Sequence, residues 1–105
     1  AIMVTENVQE MIPKIQNFFG SQPIRKAWLF GSCSRGEETK DSDIDILVEY
    51  DRQNSMISLM KIADIILKLE DLLDRKVDMV EEKSLLPFAQ KSVERDKFLI
   101  YEREG

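Results

Sequence analysis

Asp43 and Asp45 are one residue apart and lead into an apolar run, Ile46-Leu47-Val48. In a strand, residues i and i+2 project from the same face, so the two carboxylates stand side by side. Paired hard oxygen donors suit Mg²⁺, and Mg²⁺ in turn suits nucleoside triphosphates. Upstream, Gly31-Ser32 closes a second β-type run, Ala27-Trp28-Leu29-Phe30. A Gly-Ser turn offers backbone N–H groups and a hydroxyl to phosphate oxygens. The segment 31–45 therefore reads as a site for a metal-bound nucleotide.

The spacing adds specificity. Gly31-Ser32, ten residues, then Asp43-x-Asp45 resembles the signature of the DNA polymerase β-like nucleotidyltransferase superfamily. The fuller string GSxxRGxxxxxSDIDILV resembles its minimal nucleotidyltransferase group, over nearly the whole chain. The resemblance implies a mixed α/β (α+β) fold and a third carboxylate on another strand; Asp78, in Lys76-Val77-Asp78-Met79-Val80, is placed to supply it. It implies that Asp43, Asp45 and Asp78 are catalytic and hold two Mg²⁺ ions. It also implies that Gly31 and Ser32 bind the β- and γ-phosphates of ATP or another NTP, with Ser34, Arg35 and Gly36 in the same loop. Proteins of that group often act as antitoxins beside a HEPN-domain toxin, and the implied acceptor is a hydroxyl on that partner, commonly a tyrosine.

Plainer roles stand beside these. Two aspartates after a Gly-Ser turn can be a solvated hairpin connection, and Asp78 facing away would be a charge at a strand edge. Arg35 either neutralises triphosphate charge or pairs with an acid such as Glu37 and organises the loop. Ser42 orients the loop before Asp43, and Lys40 and Asp41 are solvated. Trp28 could stack on a base, but a buried strand aromatic is the commoner role. Tyr50 and Tyr101 share that default. Cys33 is a small residue at a variable loop position.

Composition narrows the chemistry. The 105 residues predict one domain, 1–105, too small to add a separate substrate-binding domain. With no histidine, Ser-His and Cys-His mechanisms are excluded and a zinc site is disfavoured. A lone cysteine forms no internal disulfide and fits a cytoplasmic setting. No apolar run approaches a membrane span, and no signal peptide is visible. The net charge of −5, with cations scattered among acids, argues against a long nucleic-acid partner.

The elements that must position the site follow from periodicity. Val8, Met11, Ile12, Ile15, Phe18 and Phe19 predict a helix over 5–19, kinked or divided at Pro13 and ended by Gly20-Ser21-Gln22-Pro23. Strands follow at 25–31 and 43–50, with a polar excursion at 33–41 that has room for one helical turn. Ser55 is the expected cap of an amphipathic helix over 56–73, whose buried face carries Leu59, Ile62, Ala63, Ile66, Leu69 and Leu73. Met56 and Met60 are expected to fill core gaps. Asp74-Arg75 connects to a strand at 76–81. A short helix over 84–95, opening near Ser84, has Leu85, Leu86, Phe88, Ala89 and Val93 as apolar members. Phe98-Leu99-Ile100-Tyr101 predicts an edge strand.

Three functions fit this plan: a nucleotidyltransferase that modifies a partner protein, an inactive adaptor that neutralises a partner by contact, and a small-molecule nucleotidyltransferase. The last typically carries a further helical domain.

Overall fold

The computed structural model describes residues 4–53, 56–85 and 87–103. Helix α1 (Glu6–Phe19) starts at Thr5, whose side chain accepts from the Val8 N–H, and buries Val8, Ile15 and Phe19. It runs undivided through Pro13. Pro13 cannot donate to the Gln9 carbonyl, but both residues are exposed, so water can satisfy that oxygen.

Strands β1 (Ile24–Leu29), β2 (Ile44–Tyr50), β3 (Val77–Glu81) and β4 (Phe98–Glu102) form one mixed sheet in the order β3-β2-β1-β4. β1 is antiparallel to β2 and β4, while β2 and β3 are parallel. A parallel pair needs a long crossover, which α3 (Leu59–Leu73) supplies. β4 is an edge strand, as expected. A one-turn helix, α2 (Ser32–Arg35), sits between β1 and β2, and α4 (Pro87–Asp96) precedes β4.

The alternation of β2 divides the sheet into two faces. Ile44, Ile46 and Val48 join Ala27, Leu29 and Ile100 in a core with Val8, Ile15 and Phe19 of α1 and Ile65, Leu69 and Leu73 of α3. Each fully buried aliphatic or aromatic side chain there contributes about 1.5–3 kcal/mol. Asp45, Leu47 and Glu49 have the opposite parity. Leu47 lies opposite Trp28 in the β1–β2 register, and both are buried outside the main core.

Helix α3 departs from expectation at its start. Ser55 lies outside the described residues, and the cap is Ser58, whose side chain accepts from the Lys61 N–H at 3.0 Å. Met56 is 95% exposed and Met60 84%, so neither fills the core. Leu59 and Ala63 are exposed as well, because Ile62, Ile65, Leu69 and Leu73 define the face turned to the core. The last helix opens later than expected. Glu82–Ser84 is a 3₁₀ turn, and α4 begins at Pro87, a residue pre-organised for a first helical position. Leu86 lies outside the described residues.

Candidate active site

The site lies where β1 ends and β2 and β3 begin. Gly31 has φ 64° and caps α2, a conformation that L side chains rarely adopt. A second constraint acts on the same residue: a Cβ there would lie 2.5 Å from Asp45 Oδ2. The Asp45 carboxylate thus packs directly on the Gly31 backbone, and the Phe30 N–H donates to the Asp45 carbonyl at 3.1 Å. Gly36, at φ 74°, ends the one-turn helix.

Asp45 and Asp78 are register partners across the parallel pair, which puts both on one face. Asp43 precedes β2 by one residue and is exposed, as is Asp78, while Asp45 is half-buried. Burial pushes the Asp45 carboxyl up to about 6, the negative charges of Asp78 and Asp43 push the same way, and Arg35 opposes them. Asp43 and Asp78 are therefore each near enough to Asp45 to repel its carboxylate. Among the described residues the three do not form a closed cage of ligands. Hard carboxylates whose charges crowd Asp45 are nonetheless a donor set that fits a divalent cation such as Mg²⁺.

The phosphate-loop candidates differ from one another. Ser32 is half-buried at the start of α2. Ser34 turns its hydroxyl inward to the Gly31 carbonyl at 3.0 Å and so closes the turn. Arg35 is bound to acids: Nε lies 2.9 Å from Glu37 and NH1 3.5 Å from Asp96 beyond the loop. Cys33 is buried, its thiol pKa raised by that burial, and its Sγ donates to the Asp43 carbonyl at 3.6 Å. That is an inert thiol.

Two arrangements carry no local sequence signal. Lys97 Nζ sits 4.5 Å from the Trp28 ring centroid while bridging Glu82 at 3.2 Å and Glu94 at 2.8 Å. Trp28 is accordingly a buried strand aromatic. On the other side of the loop, Arg75 pairs with the buried Glu38 at 2.6 Å, and its NH2 donates to the Thr39 and Ser42 carbonyls at 2.6 Å each. Ser42 accepts from the Thr39 N–H at 3.0 Å, so it does orient the turn before Asp43. A groove of about 540 Å³ lies by Gly20–Pro23 and Arg103, at the opposite end of β1 from Gly31.

A mixed four-stranded sheet, a Gly-Ser turn packed on an aspartate and carboxylates paired across parallel strands together define a nucleotidyltransferase of the polymerase β class. The sequence agrees: residues 13–105 match the polymerase beta nucleotidyltransferase family, and the chain belongs to it. MJ1379 of Methanocaldococcus jannaschii, a candidate protein adenylyltransferase, is 44% identical over 74% of this chain and 76% of its own. The protein adenylyltransferase MntA of Thermococcus cleftensis is 33% identical over 91% of this chain and 95% of its own. The fold also resembles a chain in the complex of a tri-AMPylated Shewanella oneidensis HEPN toxin with an MNT antitoxin. There the TM-score is 0.66 at 21% identity, covering 91% of this chain and 73% of that one.

Proposed function

We propose that this protein transfers AMP from ATP, with Mg²⁺, onto a hydroxyl of a partner protein, and that the partner is a HEPN-domain toxin which the modification silences. The observation that carries the reading is the register pairing of Asp45 with Asp78, with Asp45 packed on Gly31. The likeness to a protein adenylyltransferase over 95% of that relative's length supports a protein acceptor. The chain acts as a single catalytic domain in the cytoplasm, where Cys33 stays reduced.

In this reading the backbone N–H groups at Gly31 and Ser32 hold the β- and γ-phosphates, and Arg35 exchanges an acidic partner for triphosphate oxygens. Asp43, Asp45 and Asp78 would hold two Mg²⁺ ions, which supply charge neutralisation and acidify the attacking hydroxyl. The acceptor oxygen forms a bond to the α-phosphorus as the bond to the β-phosphate bridging oxygen breaks. Pyrophosphate leaves with that electron pair, and the hydroxyl proton passes to the Asp78 carboxylate. Asp45 must be ionised to act, so the raised carboxyl value reflects a site that gains from a cation.

The test is the intact mass of a co-expressed HEPN partner. Wild type should add whole AMP units, and Asp43→Asn none. A partner neutralised without any mass change would instead establish an adaptor, and label on a small acceptor a small-molecule transferase.

A further inference from the structure

The turn that delivers Asp43 is held from outside. Ser42 N donates to Thr39 O at 3.1 Å, closing a four-residue turn. The Thr39 and Ser42 carbonyls both point at one guanidinium nitrogen of Arg75. Arg75 is itself fixed. It follows Asp74, which ends α3 in the left-handed conformation at φ 54°, and its side chain is only 12% exposed. Its other terminal nitrogen pairs with Glu38, whose side chain is 1% exposed. Glu38 Oε2 accepts from the Thr5 hydroxyl at 3.1 Å, and that same oxygen of Thr5 caps α1. Two residues beyond the turn, the Ile44 N–H donates to the Lys76 carbonyl at 2.8 Å and ties the start of β2 to the residue before β3.

A surface ion pair would not justify this arrangement. A buried charge is costly unless paired and hydrogen-bonded, and an apolar pair of similar volume is often as stable. What the pair adds is geometry. The planar fork of arginine reaches two carbonyls and a carboxylate at once, which a lysine ammonium on a flexible stem does not reproduce. The contacts converge on the residue just before Asp43, and no other contact described for the loop fixes both of its carbonyls.

We infer that Arg75, anchored by Glu38, is a positioning residue for the reaction: it sets the backbone that presents the Asp43 carboxylate to the divalent cation. This deepens the transferase reading and rests on it. Residues that orient ligands from behind typically change metal affinity roughly tenfold to a hundredfold when altered.

The experiment measures Mn²⁺ binding to the intact chain in the absence of nucleotide, by loss of the free-ion EPR signal, beside melting temperature. Wild type should bind Mn²⁺ and Asp43→Asn should not. Arg75→Lys keeps a cation for Glu38 but not the fork. It should melt near wild type yet bind Mn²⁺ roughly ten times more weakly. Arg75→Met with Glu38→Gln removes both buried charges and guards against misfolding of a single variant. It should remain folded with the same loss of Mn²⁺ affinity. Wild-type Mn²⁺ affinity in either folded variant overturns the inference and leaves the transferase reading intact. If wild type binds no Mn²⁺, the transferase reading fails and takes the inference with it.

Discussion

Asp45 and Asp78 stand opposite each other across two parallel strands, each an aspartate where a sheet face would ordinarily carry a neutral or apolar pair. Like charges directly opposed destabilise a sheet, and half-burial adds to the cost at Asp45.

The pH dependence follows. The Asp45 carboxyl lies at about 6 in the folded protein against 3.8 for the free group. A raised acid binds its proton more tightly when folded, so its contribution to stability is complete below about pH 4 and is lost as pH rises through about 6. Asp45→Asn should therefore leave metal-free stability near wild type at pH 4. At pH 8 it should raise stability by on the order of 1–2 kcal/mol, a figure already reduced for solvent screening. Urea melts at the two pH values check this. Added Mg²⁺ should stabilise wild type at pH 8 and leave Asp45→Asn unchanged.

Gly31→Ala tests the contact behind that carboxylate. The new methyl would meet Asp45 Oδ2 and would sit at φ 64°. The backbone strain alone, at φ 64° and ψ −145°, should cost about 1–3 kcal/mol. The displaced carboxylate should lower transfer far more than that loss of stability accounts for. Activity measured well below the melting temperature separates the two effects, and equal activity would show that Asp45 tolerates the displacement.

Much of this was legible in the chain. The strand period around Asp45 was legible, although Asp43 falls one residue ahead of β2, and Asp78 was placed by the family resemblance; the parallel β2–β3 pairing sets it opposite Asp45. The fold order, the edge position of β4 and the turn at Gly31 rest on equally local signals. The start of α3 was not legible. Ser55 and Ser58 are both capping residues, and apolar residues surround the first turns, so periodicity accepts Leu59 and Met60 as readily as Ile62 and Ile65. Only contact with the sheet decides between those faces. The Glu38–Arg75 pair and Lys97 over Trp28 are tertiary pairings between distant segments, with no spacing to announce them.

Trp28 is the chain's single tryptophan, so its fluorescence reports on the Lys97 contact. Lys97→Met retains the aliphatic stem but removes the cation from the ring and from Glu82 and Glu94. A shift in emission and a loss of about 1 kcal/mol are expected. Raising the salt concentration should shrink the difference between the two proteins, because part of the lost energy is ionic and partly solvated. An unshifted spectrum would mean that the ammonium does not sit over the indole in solution.

Arg35 poses the sharpest choice, because two roles for it stand open. Its guanidinium is shared between Glu37 and Asp96, a loop acid and the last residue of α4. Such exposed pairs contribute little to folding, so Arg35→Gln should melt close to wild type. A triphosphate carries more charge than either carboxylate, and an arginine fork suits phosphate oxygens. If Arg35 moves to the nucleotide, Arg35→Gln should weaken Mg-ATP binding at least several-fold, and the salt dependence of binding should become shallower. Asp96→Asn separates the roles further: it frees the guanidinium from one competitor, so it should tighten Mg-ATP binding slightly while Arg35→Gln weakens it. Calorimetric titration of all three proteins at two ionic strengths reads out both effects. Unchanged affinity in Arg35→Gln would assign Arg35 to the loop alone, as the partner that holds Glu37 and ties α2 to α4.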